Sequence, residues 1–203
     1  MENSNKPHIR KLSKQFELFS SSKEPTCNLP NANYLKVNRE NLINWRNKIN
    51  DYQNKIIRNK SSNIFQDSIF PEYKDTAIHK IDPFTLESIS LNFWRTNKYV
   101  HDGPAMYFVI DTMKSSKILL YIGETNSANK RWKGDHDCKN YINNYKEALA
   151  FNNLSSHLDI RFFLDVPKEV KLRRKLEKKL IYLWLPPFNK ESRGRWSTTF
   201  TND

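Results

Sequence analysis

The chain has 203 residues, of which 37% are hydrophobic, enough to bury a core in one domain with an extension or in two small ones. Four glycines rule out a glycine-rich repeat, and two cysteines, Cys27 and Cys138, are too few for a disulfide framework and too scattered for a metal cluster. Thirty-four Lys and Arg against 22 Asp and Glu give a net charge of +12, which predicts a polyanionic partner, nucleic acid ahead of membrane.

The start of the chain is polar and carries no apolar signal segment, and no stretch is long enough to span a bilayer, so the expected location is cytoplasmic. Residues 1 to about 38 mix Lys, Ser, Asn and Pro and read as an arm or irregular wrap. A helix follows: Asn38 can cap it, and Leu42, Trp45, Ile49, Tyr52 and Ile56 recur every three or four residues. Arg39, Arg46, Lys48, Lys55 and Arg58 occupy its other faces. This stripe suits packing on its own domain, a dimer interface or a helix touching a DNA backbone. Residues 61–104 hold Pro71, Pro83 and Pro104 and a short helix around Phe84 to Trp94. The whole of 1–104 is expected to be a mostly helical or irregular extension that binds DNA or dimerises.

At Met106 the pattern changes. Tyr107 to Ile110 and Ile118 to Ile122 are aromatic and β-branched runs around a polar Asp111 to Lys117 turn, the pattern of an antiparallel hairpin. A short helix through Arg131 and a clearer one from Lys139 to Phe151 come next, then a third strand from Asp159 to Asp165. Pro167 introduces a long helix, Lys168 to Trp184, stopped by Pro186 and Pro187. The expected fold over 105–203 is a small α/β module with a three-stranded antiparallel sheet flanked by helices.

Glu177 is the most telling residue. It lies three, four and seven positions from Leu180, Ile181 and Trp184, on the apolar stripe of a helix otherwise rich in Lys and Arg. A carboxylate on a packed face needs a partner, either an arginine or a hard cation such as Mg²⁺. Tyr107 and Tyr121 are ordinary strand residues unless the hairpin brings both hydroxyls into one cleft, where one could act on a water. Arg131 is a fork that can hold two phosphate oxygens. His136, five residues on, can pass a proton or touch a phosphate, and Asn189 can cap a turn or fix a neighbouring side chain.

This ordered set resembles the GIY-YIG nuclease family, named for its two strand motifs, over about Ala105 to Asn189. By that resemblance Tyr107 stands for the tyrosine of the first motif, and Tyr121 and Gly123 for residues of the second. Arg131 matches the phosphate-contacting arginine, Glu177 the single metal-binding glutamate, Asn189 the closing asparagine and His136 a histidine carried by several members. Two departures are Ala105-Met106 in place of Gly-Ile and Glu124 where many relatives carry lysine.

The resemblance implies a Mg²⁺-dependent endonuclease that hydrolyses double-stranded DNA, with one metal on Glu177, Arg131 on the nonbridging oxygens and Tyr107 as base, Tyr121 being the alternative base. The short chain suggests a type II restriction enzyme, with a homodimer expected for cutting two strands. Homing or repair nucleases, and a binding protein that does not cut, are the rival readings. Arg193, Arg195 and Trp196 form a basic aromatic tail suited to backbone contacts.

Overall fold

The computed structural model describes residues 36–61, 78, 80–95, 101, 103–114 and 116–201. The arm expected over 1 to about 38 falls almost wholly outside them, as does Pro71. Helix α1 (Arg39–Ser61) is followed by strand β1 (Ile89–Ser90), a 3₁₀ turn (Phe93–Arg95), and strands β2 (Ala105–Thr112) and β3 (Lys117–Thr125). Helices α2 (Ala128–Lys133) and α3 (Asp137–Phe151), strand β4 (His157–Phe163), helix α4 (Val170–Trp184) and a final 3₁₀ turn (Arg193–Trp196) complete the described chain.

All strands join one antiparallel sheet in the order β1-β4-β2-β3, flanked by four helices. The expected three-stranded sheet is therefore corrected to four strands. The added one, β1, sets Ile89 opposite Ile160 and Ser90 opposite Asp159, inside the stretch that reads as a short helix. Two residues carry no period-two alternation, so only the edge of β4 reveals that they pair.

The sheet separates two cores. On one face Tyr107, Val109 and Leu120 pack with Trp132 of α2 and with Cys138, Ile142 and Tyr145 of α3. On the other, Met106, Phe108, Ile110 and Ile122 meet Leu180, Ile181 and Trp184 of α4. A bulge in the hairpin reconciles β3 with both layers: Val109 faces Tyr121 and Ile110 faces Leu119, so Leu120 has no partner across the ladder. The extra residue puts Leu120 and Tyr121 in the same core, and Tyr121 thereby stacks on Tyr107.

The outer edge of β3 is sealed by polar atoms. Gln53 of α1 accepts a 2.8 Å hydrogen bond from the Leu119 N–H and donates to the Leu119 carbonyl at 3.0 Å. The Phe188 N–H takes the carbonyl of the bulged Leu120 at 3.0 Å. Capping an edge in this way removes a template for unwanted strand pairing. Leu42, Ile49 and Ile56 of α1 are buried in this same fold, so most of the apolar stripe packs on the chain's own core, with Trp45 and Tyr52 only partly covered. Arg46 also leaves the solvated face expected for it. It pairs at 3.0 Å with Asp111, which is a buried strand residue rather than part of a turn. Among the described residues, no helix is long and apolar enough to cross a membrane.

Candidate active site at the edge of the hairpin

Where β3 ends, α4 on one face and α3 on the other leave a pocket of about 390 Å³ at the sheet edge. Tyr121, Tyr141, Glu177, Phe188, Asn189 and Arg193 are among its walls. Three of the six site residues expected from sequence, Tyr121, Glu177 and Asn189, thus meet in one cavity.

Glu177 arrives there because α4 carries its apolar stripe against the sheet and Glu177 continues that stripe to the sheet edge. Its Oε1 accepts the Glu124 N–H at 3.1 Å, the last outward-facing donor of β3. Among the described residues no cation pairs with it directly. Burial, with the Glu124 carboxylate beside it and only partly offset by that N–H, raises its pKa to about 7.

Glu124 itself is neutralised elsewhere. Its Oε2 accepts a 2.7 Å bond from Nε of Arg173, a side chain with no solvent exposure. Arg173 also donates to Asn126 Oδ1 and to the carbonyls of Pro167 and Lys168. The departure at position 124 is thus a built ion pair that holds the N–H donor to Glu177 in place. Arg173 was not among the expected site residues, although a signal existed: it precedes Glu177 by four positions and so extends the same helical stripe.

Tyr107 is buried, 1% exposed, with its ring 5.9 Å from that of Tyr121 and edge-on to Trp132. Gly123, opposite it in the ladder, leaves the room it needs: a Cβ there would run into Cζ and the hydroxyl of Tyr107. The Arg131 guanidinium is close enough to the Tyr107 hydroxyl to oppose the rise in its pKa. Burial pushes the Tyr107 phenol well above its ordinary pKa, and burial with Tyr107 alongside does the same to Tyr121. Neither is ionised near neutral pH in this state. Tyr121 reaches the pocket, whereas Tyr107 stands behind it.

Arg131 sits in α2, a short helix capped by the Ser127 side chain, and it acts electrostatically on both tyrosines. His136 starts α3, buried edge-on against Trp132 at 5.0 Å, and neither ring nitrogen has a hydrogen-bond partner. Burial, with Arg131 and Lys139 nearby, lowers its pKa to about 4, so it is neutral at pH 7. It does not line the pocket.

Asn189 replaces a missing strand neighbour. Its Oδ1 accepts the Ile122 N–H at 2.9 Å and its Nδ2 donates to the Ile122 carbonyl at 2.8 Å. This two-point clamp fixes the backbone between Tyr121 and Gly123. Among the described residues its side chain makes no hydrogen bond to Glu177 or to a tyrosine hydroxyl.

The pocket brings Glu177 and Tyr121 together with Tyr141 and two further carboxylate residues, Asp137 and Glu191, and Arg131 acts on the tyrosines from behind. No family model matches this chain, and neither a curated protein nor a solved structure matches it.

Proposed function

We propose that the protein is a Mg²⁺-dependent endonuclease that hydrolyses DNA phosphodiester bonds in the manner of the GIY-YIG family. The functional type that suits it best is a type II restriction enzyme working in the cytoplasm. The observation that carries this reading is the convergence of Glu177 and Tyr121 on one pocket, with Arg131 tied to the same tyrosine stack. The net charge of +12 supplies attraction to the phosphate backbone.

The donor set suits a single hard cation. Among the described residues no group of three or more His, Cys, Asp or Glu side chains is placed to hold a metal, and Glu177 would be its protein ligand by the resemblance. Mg²⁺ keeps most of its waters and takes one or two carboxylates plus substrate phosphate. A carboxyl whose proton is held to about pH 7 by burial and a neighbouring carboxylate would be relieved by a bound cation. When bound, the cation supplies positive charge to the phosphate and to the departing 3′ oxygen.

The chain's own residues supply the rest. Hydrolysis joins a water oxygen to phosphorus and breaks the bond to the 3′ oxygen, leaving a 5′ phosphate and a 3′ hydroxyl. Arg131 holds nonbridging oxygens and opposes the charge that builds on them. Tyr107 serves as a positioning residue for Arg131, whose charge acts on its hydroxyl. Tyr121, at the pocket wall, orients the water and is the better placed acceptor for its proton once cationic charge lowers its pKa. Asn189 keeps that part of β3 rigid, and His136 supports Trp132 from behind.

The test is incubation of supercoiled plasmid with Mg²⁺ or with EDTA, followed by end sequencing. Discrete fragments with Mg²⁺ alone are expected. Single nicks would favour homing or repair, and binding without cutting would leave a binding protein. Cutting in EDTA would remove the metal and make Glu177, poised at about 7, a general base.

A further inference from the structure

A pocket of about 820 Å³ lies outside the Glu177 site, between α1 and the C-terminal segment. Its described charged walls, Lys36, Lys48 and Arg195, are all cationic, and Trp45 and Trp196 stand among them. Asn41, Asn44, Ser197 and Thr199 add neutral hydrogen-bonding groups. Lys36 and Lys48 are exposed and Arg195 is pinned: its guanidinium lies 5.1 Å from the Tyr52 ring centre and 5.5 Å from that of Trp196. An arginine stacked on rings keeps its N–H edge free for phosphate and loses little freedom on binding.

The tryptophans are fixed too. Trp45 Nε1 donates to the Trp196 carbonyl at 3.1 Å and Trp196 Nε1 to the Leu185 carbonyl at 2.7 Å. The groove also connects to the pocket described above. The 3₁₀ turn Arg193–Trp196 presents Arg193 to the Glu177 pocket and Arg195 to the groove. Trp45 stacks on Phe188, a wall of that pocket, with ring centres 6.3 Å apart. Cationic side chains thus stand on both sides of this turn: Lys190 and Arg193 at the Glu177 pocket, where Asp137 and Glu191 also line the wall, and Arg195, Lys48 and Lys36 at the groove.

We infer that this groove binds the sugar–phosphate backbone of a nucleic acid beyond the bond held at Glu177. The inference rests on the endonuclease reading for what occupies the pocket, but the groove's chemistry stands on its own residues. All its described charges are of one sign, and fixed aromatic rings beside cations suit a nucleic-acid strand. Because these contacts are to backbone, they add affinity without choosing a sequence.

The experiment measures binding of the full-length protein to a labelled DNA duplex of mixed sequence, in EDTA, over a range of salt. Lys36→Glu/Lys48→Glu is compared with the charge-matched Lys168→Glu/Lys175→Glu, whose exposed lysines lie on and before α4. Arg195→Gln is the milder variant. The groove variants are expected to bind about tenfold more weakly than the matched control, with a salt slope smaller by about 0.9 for each phosphate that the protein no longer neutralises.

Equal weakening in the groove and control proteins would reduce the effect to net charge and overturn the groove. Unchanged salt slopes would overturn it as well. If the wild type binds but does not cut, and the groove variants still lose binding, the groove stands and the endonuclease reading fails. If the wild type cuts and groove variants bind like the control, the reverse holds. Absence of DNA binding by the wild type would sink both.

Discussion

Asp111 on β2 and Glu177 on α4 are carboxylates drawn out of water by the same sheet, but their surroundings differ. Asp111 is fully buried and completely answered: Arg46 donates at 3.0 Å, Tyr145 at 2.7 Å and Ser156 at 2.5 Å. Glu177 has one backbone N–H, a second carboxylate beside it and no directly paired cation among the described residues. A carboxylate answered from three elements ties the fold together. One left short of positive charge, at the wall of a pocket, suits the proposed role of a cation ligand.

The comparison breaks most visibly through substitution. Asp111→Asn should destabilise the protein by about 3–5 kcal/mol, because it leaves Arg46 buried without its counter-charge. Glu177→Gln should do the opposite while abolishing cleavage and sparing DNA binding. Glutamine can still accept the Glu124 N–H and no longer carries a poorly solvated charge, so a gain of about 1–3 kcal/mol is expected above pH 7, after discounting for partial exposure. Denaturant titration of both variants decides the matter, and a destabilised Glu177→Gln protein would make Glu177 a structural carboxylate like Asp111.

Gly123→Ala comes next in size. The added methyl meets Tyr107, which Tyr121 and Trp132 hold from two sides, so the ring has nowhere to go. A cost of about 1–3 kcal/mol is expected from overpacking, with a fall in cleavage as the Tyr107 hydroxyl shifts against Arg131. An alanine variant with wild-type stability and rate would show the close approach to be incidental.

The pH dependence is the finest probe. Cleavage should rise as Glu177 loses its proton through about pH 7. The same shift acts on stability with a defined sign. The folded state keeps this proton up to about 7 while the unfolded chain releases it near the ordinary 4.5, so stability from this group falls as pH rises across that interval and is level above it. The gain from Glu177→Gln should accordingly vanish near pH 4.5. Glu124→Gln removes one cause of the shift and should move the cleavage midpoint to lower pH; an unmoved midpoint would mean burial alone sets it.

Much of the site was legible because its members lie on regular patterns. Glu177 stood out by falling on the apolar stripe of a basic helix, and Tyr107 and Tyr121 by belonging to two strand-like runs. Arg173 could have been found by carrying that stripe back one turn. Gln53, Arg46 and Arg161 could not. Each is a buried polar residue whose partner lies across a gap in sequence, as when Arg161 donates to the carbonyls of Phe84 and Leu86. Local periodicity says which side of a helix or strand faces inward, and nothing about which distant carbonyl or carboxylate waits there.

The sequence by itself determined the three longer strands of the sheet, the helices around them, the positive charge and the residue types able to handle a phosphate. Those follow from periodicity and composition, which are local. Tertiary structure decided the rest: the fourth strand, the bulge that brings Tyr121 onto Tyr107, the clamp of Asn189 on Ile122 and the burial of Glu177 beside Glu124. Each depends on segments far apart in the chain meeting at the sheet. Burial and charge there are properties of the assembled neighbours rather than of any one segment.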